Sequence, residues 1–221
     1  MTVATMAAGH SRQERLAELF RIARIIPVIT IERVEDAIPL ARALVAGGLR
    51  VLEVTLRTPA ASAAASAILA NVPEAVVGLG TVLDSQDLAQ ARRIGAKFAL
   101  SPGATPELLD AAIASDLPFV PGIATASELM GALARGFDIV KFFPAVPAGG
   151  TAALKALGGP FPEVRFCPTG GITEDSVGEW LALPNVVGVG GSWLTPAAEM
   201  RAGQWTAITE RARSAAQKLT S

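Results

Sequence analysis

Hydrophobic positions along the chain alternate between two rhythms, short continuous apolar runs and longer stretches of helical period, with turn residues between them. In residues 11–24, charged side chains lie opposite a stripe of Leu16, Leu19, Phe20 and Ile22 or Ala23, which predicts an amphipathic helix ahead of the main architecture. Residues 25–29 form a short apolar run containing Pro27, and residues 34–45 show helical spacing that stops at Gly47-Gly48, a normal helix terminator. The same strand-then-helix unit recurs. Strands are predicted at 50–55, 76–80, 98–101, 119–122, 139–142, 165–168 and 186–190, and helices at 60–71, 85–94, 105–115, 125–135, 151–157 and 173–183. Several of these helices open on Ser or Thr beside an acidic residue, the N-cap signal. Residues 193–200 are too short and broken for a full eighth helix, so 204–219 completes the series.

Eight strand-helix units with buried-strand runs predict an α/β chain of the (β/α)8 TIM-barrel class with an additional N-terminal helix. A doubly wound open sheet is the competing architecture, but no GxGxxG opens the first helix. No Pro-, Ser- or charge-rich linker divides the 221 residues, so the whole of 1–221 is read as one domain, with 1–24 as its N-terminal segment and helix. A hydrophobic content of 51% with only 5% aromatics, together with 21 glycines and 15 prolines, fits many short buried strands joined by turns.

Charge and residue inventory narrow the chemistry. A net charge of −1 gives no basic footprint for nucleic acid or an anionic membrane, and no apolar stretch is long enough to span a bilayer. The one cysteine, Cys167, excludes an intrachain disulfide, and residues 1–15 lack a signal-peptide core, so the expected location is the cytoplasm. The single histidine, His10, lies in a polar N-terminal segment, which removes the usual routes to a histidine-rich metal site or a Ser-His triad. Catalysis is therefore expected from Lys, Glu, Arg, Thr and backbone groups.

Of the four lysines, Lys97, Lys155 and Lys218 sit where a solvated charge belongs. Lys141 stands inside the buried-strand run Ile139-Val140-Lys141-Phe142-Phe143-Pro144. An ammonium in an apolar wall is costly unless paired or neutralised, and a neutral amine there is the reagent for a Schiff base. The alternative is a stem buried in the wall with its charge carried out to solvent. On the second strand, alternation puts Glu53, Thr55 and Arg57 on one face and Leu52, Val54 and Leu56 on the other. The leucines and the valine suit the layer under the helices, which turns the carboxylate, hydroxyl and guanidinium into the interior or its mouth. Lys141 shares that inner face if Val140 and Phe142 point outward. A structural Glu53–Lys141 ion pair, or neutralisation of Arg57 by Glu53, is the plainer reading of the same residues.

Glycine-rich turns follow several strands: Gly80-Thr81, Pro102-Gly103, Gly170-Gly171 and Gly190-Gly191-Ser192. In this fold class the loops after strands seven and eight commonly present N–H groups to a phosphate, although glycine there also serves as ordinary turn chemistry. Cys167 reads as an inert core thiol. Trp193 and Phe143 flank the mouth as substrate walls or as packing.

These pieces carry a specific resemblance. VLEVTLRT around Glu53, GLGTVL at Thr81, ALSPGAT at Pro102, VKFFPA around Lys141, FCPTGGI at Gly170-Gly171 and GGSWL at Ser192 together resemble the family of 2-keto-3-deoxy-6-phosphogluconate (KDPG) aldolase and 4-hydroxy-2-oxoglutarate aldolase, in order from about Ile25 onward. The resemblance implies a trimeric class I aldolase without metal, acting on a small keto-acid phosphate. It implies that Lys141 forms the Schiff base and that Glu53 is the general acid/base. Arg57 and Thr81 would bind the pyruvate carboxylate, and the Gly170-Gly171 and Gly191-Ser192 turns the distal phosphate. Pro102, Phe143 and Thr169 complete the substrate-binding set. After Pro144 the loop reads Ala-Val-Pro-Ala-Gly-Gly, where the family leads one to expect an acidic residue near Val146.

Overall fold

The computed structural model describes residues 12–218; the predicted helix start at Ser11, His10 and Leu219 lie outside the described residues. Helix α1 (Arg12–Ile22) comes first, followed by β1 (Ile25–Ile29), α2 (Ala37–Ala46), β2 (Val51–Thr55), α3 (Ala61–Asn71), β3 (Val76–Gly80), α4 (Ser85–Arg93), β4 (Ala99–Leu100) and α5 (Pro106–Ala114). The second half runs β5 (Phe119–Val120), β6 (Gly122–Ile123), α6 (Ala126–Leu133), β7 (Ile139–Phe142), α7 (Gly150–Gly158), β8 (Arg165–Pro168), α8 (Val177–Leu181), β9 (Val189–Gly191), α9 (Ala197–Arg201) and α10 (Trp205–Gln217). Every strand pairing is parallel, as crossovers through helices require.

The strands form a curled sheet in the order β5-β4-β3-β2-β1-β9, with β6-β7-β8 beside it. Single parallel bridges, Phe166 to Val186 and Thr169 to Gly190, set β8 alongside β9. Pro121 divides the predicted fifth strand into β5 and β6, because proline has no N–H for the ladder. Beyond it the Gly122 N–H donates to Ser101 Oγ at 3.1 Å, and the Pro121 carbonyl accepts from Lys141 N at 2.8 Å.

Two apolar cores follow from side-chain alternation. Leu52, Val54, Val140 and Phe142 belong to the large core between sheet and helices. Val51, Val76, Phe98, Leu100, Val120, Ile139 and Cys167 belong to a second core on the inner face, together with Leu16, Leu19, Phe20 and Ala23. The sequence placed α1 merely ahead of the architecture, whereas the structure packs its apolar stripe into the strand interior. Of the two candidates for the end of that stripe, Ala23 is buried and Ile22 is 50% exposed.

Helix starts follow the local chemistry. Thr105 caps α5 by accepting from Leu108 N, and Thr125 forms a full capping box with Glu128 at α6. At α4 the cap is Asp84, one residue before the predicted start at Ser85, accepting from Gln86 N and Asp87 N. Among the described residues no helix is long and apolar enough to cross a membrane.

Candidate active site

The site forms where β2 and β7 bring their inner faces together. Lys141 Nζ lies 2.8 Å from Glu53 Oε1, and the two residues are only 2% and 1% exposed. The Lys141 charge therefore does not reach solvent, and Glu53 pairs with Lys141 rather than with Arg57. Hydrogen bonds to charged groups inside a low-dielectric interior are strong, and an unpaired member would be destabilising. The Phe143 ring lies beside the amine, its centroid 5.5 Å from Nζ.

Arg57 is exposed just past the end of β2, and its Nε donates to Thr81 Oγ1 at 3.2 Å. Thr81 holds φ at +59°, a left-handed conformation uncommon for a threonine. Thr55 shares the inner face but is satisfied by its neighbour strand: it donates to the Ile29 carbonyl at 2.9 Å and lies 3.1 Å from the Thr30 hydroxyl.

The Gly170-Gly171 turn after β8 adjoins this centre through Phe143, whereas Gly190 and Gly191, predicted as the end of a strand at 186–190 and the turn after it, both lie within β9. Gly170 and Gly171 have φ of +105° and +80°, which only glycine adopts without strain, and both face the segment after β7. A β-carbon on Gly170 would come within 3.3 Å of the Phe143 ring, and one on Gly171 within 2.7 Å of Val146 Cβ. Backbone bonds from Ala145 N to Thr169 O (2.8 Å) and from Val146 N to Gly170 O (3.0 Å) lock the two loops together. Val146, 46% exposed, thus sits on the Gly170-Gly171 turn with an apolar side chain where the resemblance led to an acidic one. Thr169 is buried against Gly190, Pro102 packs its backbone on Gly122, and the Trp193 ring lies over Gly191. Ser192 is exposed at the same strand end. The Trp193 Nε1 is buried with no hydrogen-bond partner among the described residues.

Cys167 is the register neighbour of Lys141 on β8. Burial pushes its thiol up to about 12, against a smaller lowering by the Lys141 charge. It is an inert core thiol in this setting. Among the described residues no group of three or more His, Cys, Asp or Glu is placed to hold a metal ion.

Two participants escaped the sequence reading. Thr30 follows β1 and gives no signal beyond its polarity at a strand end. Gly80 looks like turn chemistry in the sequence, yet its bare α-carbon lies against the Glu53 side chain.

A curled parallel sheet flanked by helices, with an amine sealed against a carboxylate on its inner face, defines an α/β protein with a buried charged centre. Residues 16–211 match the family model described as KDPG and KHG aldolase. The chain belongs to that family. It is 50% identical over 198 residues to 2-dehydro-3-deoxy-phosphogluconate aldolase of Pseudoalteromonas atlantica, covering 90% of this chain and 92% of the relative. It is 52% identical over 193 residues to KHG/KDPG aldolase of Escherichia coli K12, covering 87% and 91%. Among solved structures it is similar to the KDPG aldolase of Legionella pneumophila with pyruvate captured at low pH as a covalent carbinolamine intermediate, with TM-score 0.88, 47% identity, and coverage of 90% and 97%.

Proposed function

We propose that the chain is a class I aldolase that cleaves 2-dehydro-3-deoxy-6-phosphogluconate to pyruvate and glyceraldehyde 3-phosphate, the lyase step of the Entner-Doudoroff pathway. The observation that carries this reading is the solvent-sealed 2.8 Å contact of Lys141 with Glu53 in a chain of the KDPG and KHG aldolase family.

Lys141 is the nucleophile. Passing a proton to Glu53 along their hydrogen bond frees the amine to attack the C2 keto carbon, and Glu53 returns a proton to the carbinolamine hydroxyl, which leaves as water. The resulting iminium draws in the electron pair of the C3–C4 bond while the C4 hydroxyl gives its proton to Glu53, so glyceraldehyde 3-phosphate departs and an enamine remains. Protonation of C3 by Glu53 and hydrolysis of the imine release pyruvate and restore the paired ammonium. Arg57 and Thr81 hold the C1 carboxylate, and the turns Gly170-Gly171 and Gly191-Ser192 take the phosphate on backbone N–H groups. Pro102, Phe143 and Thr169 complete the substrate-binding set between these ends. The lysine imine is the electron sink, so the reaction uses neither metal nor cofactor.

The same reading covers the architecture. The chain is one domain, 1–221, whose sheet closes as a (β/α)8 barrel, supported by β5 and β6 pairing on either side of Pro121 and by the bridges of β8 to β9. It works in the cytoplasm, supported by its one cysteine being a free, buried thiol, and as a homotrimer, supported by the family resemblance. Nucleic acid and membranes are not partners.

A coupled assay that follows pyruvate release tests the reading, with pyruvate expected from the 6-phosphogluconate derivative. No release above the uncatalysed rate overturns it. The name KHG/KDPG aldolase borne by the Escherichia coli relative supports a second substrate for the same site, 4-hydroxy-2-oxoglutarate. The ratio of kcat/KM for that substrate, for the galactonate epimer and for the gluconate derivative ranks the three.

A further inference from the structure

We infer that Gly80 is a positioning residue for the reaction, the bare wall against which Glu53 is set in line with Lys141. The inference rests on the aldolase reading of those two residues. Gly80 ends β3 without a positive φ, so backbone conformation does not demand glycine there. Space does. A β-carbon at this position would fall 2.6 Å from Glu53 Cγ and 2.7 Å from Cδ, and closer still to Oε1, the oxygen that meets Lys141.

Neither partner can retreat without breaking the contact, since both are buried and Glu53 is the carboxylate paired with the amine. The Gly80 peptide cannot yield easily either: its carbonyl accepts from Leu56 N at 2.9 Å, and it faces Thr55 in register. The next residue, Thr81, is the one whose hydroxyl accepts from Arg57. One turn therefore sets both the proton-transfer carboxylate and the pair proposed to hold the substrate carboxylate. Gly78, two residues earlier, is a different case, because a β-carbon there would strike the Phe98 ring in the inner core.

A methyl group at Gly80 must swing Glu53 away from Nζ, and a misplacement near 1 Å lowers a rate by about 100-fold. The test is a double-variant cycle on imine formation with pyruvate, read as borohydride-trapped adduct against time, in the unaltered chain, Gly80→Ala, Glu53→Ala and the double variant. Gly80→Ala is expected to slow trapping about 100-fold in the unaltered background and less than about twofold where Glu53 is already alanine. Equal losses in both backgrounds overturn the inference. Should Gly80→Ala fail to fold, the double variant, which removes the clash, is expected to fold with a melting midpoint close to that of Glu53→Ala. A double variant that also fails to fold overturns it. Absence of any adduct in the unaltered chain is a separate outcome that removes the aldolase reading itself.

Discussion

Replacing Phe20 by alanine tests whether α1 is part of the interior rather than an appendage. Phe20 is 4% exposed and packs with Leu16, Leu19 and Ala23 against inner-face residues of the strands. Its ring also fits over Gly188, where a β-carbon would lie 2.9 Å from Cδ1. Truncating a buried phenylalanine costs about 3–5 kcal/mol, the lost transfer energy plus the cavity left behind. For a chain of this size each kcal/mol lowers Tm by about 2–4 °C, so a fall of about 6–20 °C is expected. The control is Ile22→Ala on the same helix, 50% exposed, which should stay within about 0.5 kcal/mol. Thermal melts measure the fall in Tm of both variants, and urea melts followed by tryptophan fluorescence check it as a shift in midpoint at constant slope. Equal midpoints for the Phe20 and Ile22 variants would show that α1 is an appendage.

Three further outcomes are expected. Cys167, with its thiol held near 12, should resist iodoacetamide at pH 8 in the native protein and react only after unfolding; native-state alkylation would contradict the burial argument. The Glu199 carboxyl is held below its usual range chiefly by its hydrogen bonds from Arg211; desolvation opposes them in second place, and the charge of Arg211 adds a smaller lowering. A depressed carboxylate contributes stability that is present above its unfolded pKa of about 4.3 and is lost as pH falls through its lower folded value. Acid melts of Glu199→Gln should therefore show a shallower loss of stability below about pH 4.3 than the unaltered chain, and identical slopes would remove this pair from the acid response. EDTA should leave the rate unchanged, whereas a loss restored by a divalent ion would contradict the imine as electron sink.

The alternation of strand and helix was legible because a buried parallel strand reads as a continuous apolar run and each helix carries its own cap and terminator. Lys141 and Glu53 were legible for the opposite reason: each is a charge in a stretch where burial makes charge costly. What the sequence hid depends on space rather than on pattern. The amphipathic stripe of α1 announces a helix, but not that Leu19 and Phe20 would fill the strand interior. The strand predicted at 119–122 runs straight through Pro121, and neither the break there nor the choice of Ser101 as acceptor for Gly122 was legible. Thr55 has the same parity as Glu53, yet its hydroxyl is taken up by the Ile29 carbonyl, a neighbour 26 residues away. Gly80 was the least legible, since a missing side chain shows its purpose only when the group occupying the vacated volume is known.

The central claim is that Lys141 forms the imine, and trapping tests it most directly. The protein is incubated with pyruvate and borohydride, digested, and mapped by mass spectrometry. One reduced pyruvate adduct is expected, on Lys141, absent from Lys141→Ala. An adduct confined to Lys97, Lys155 or Lys218, or no adduct in a chain that still cleaves substrate, would contradict it.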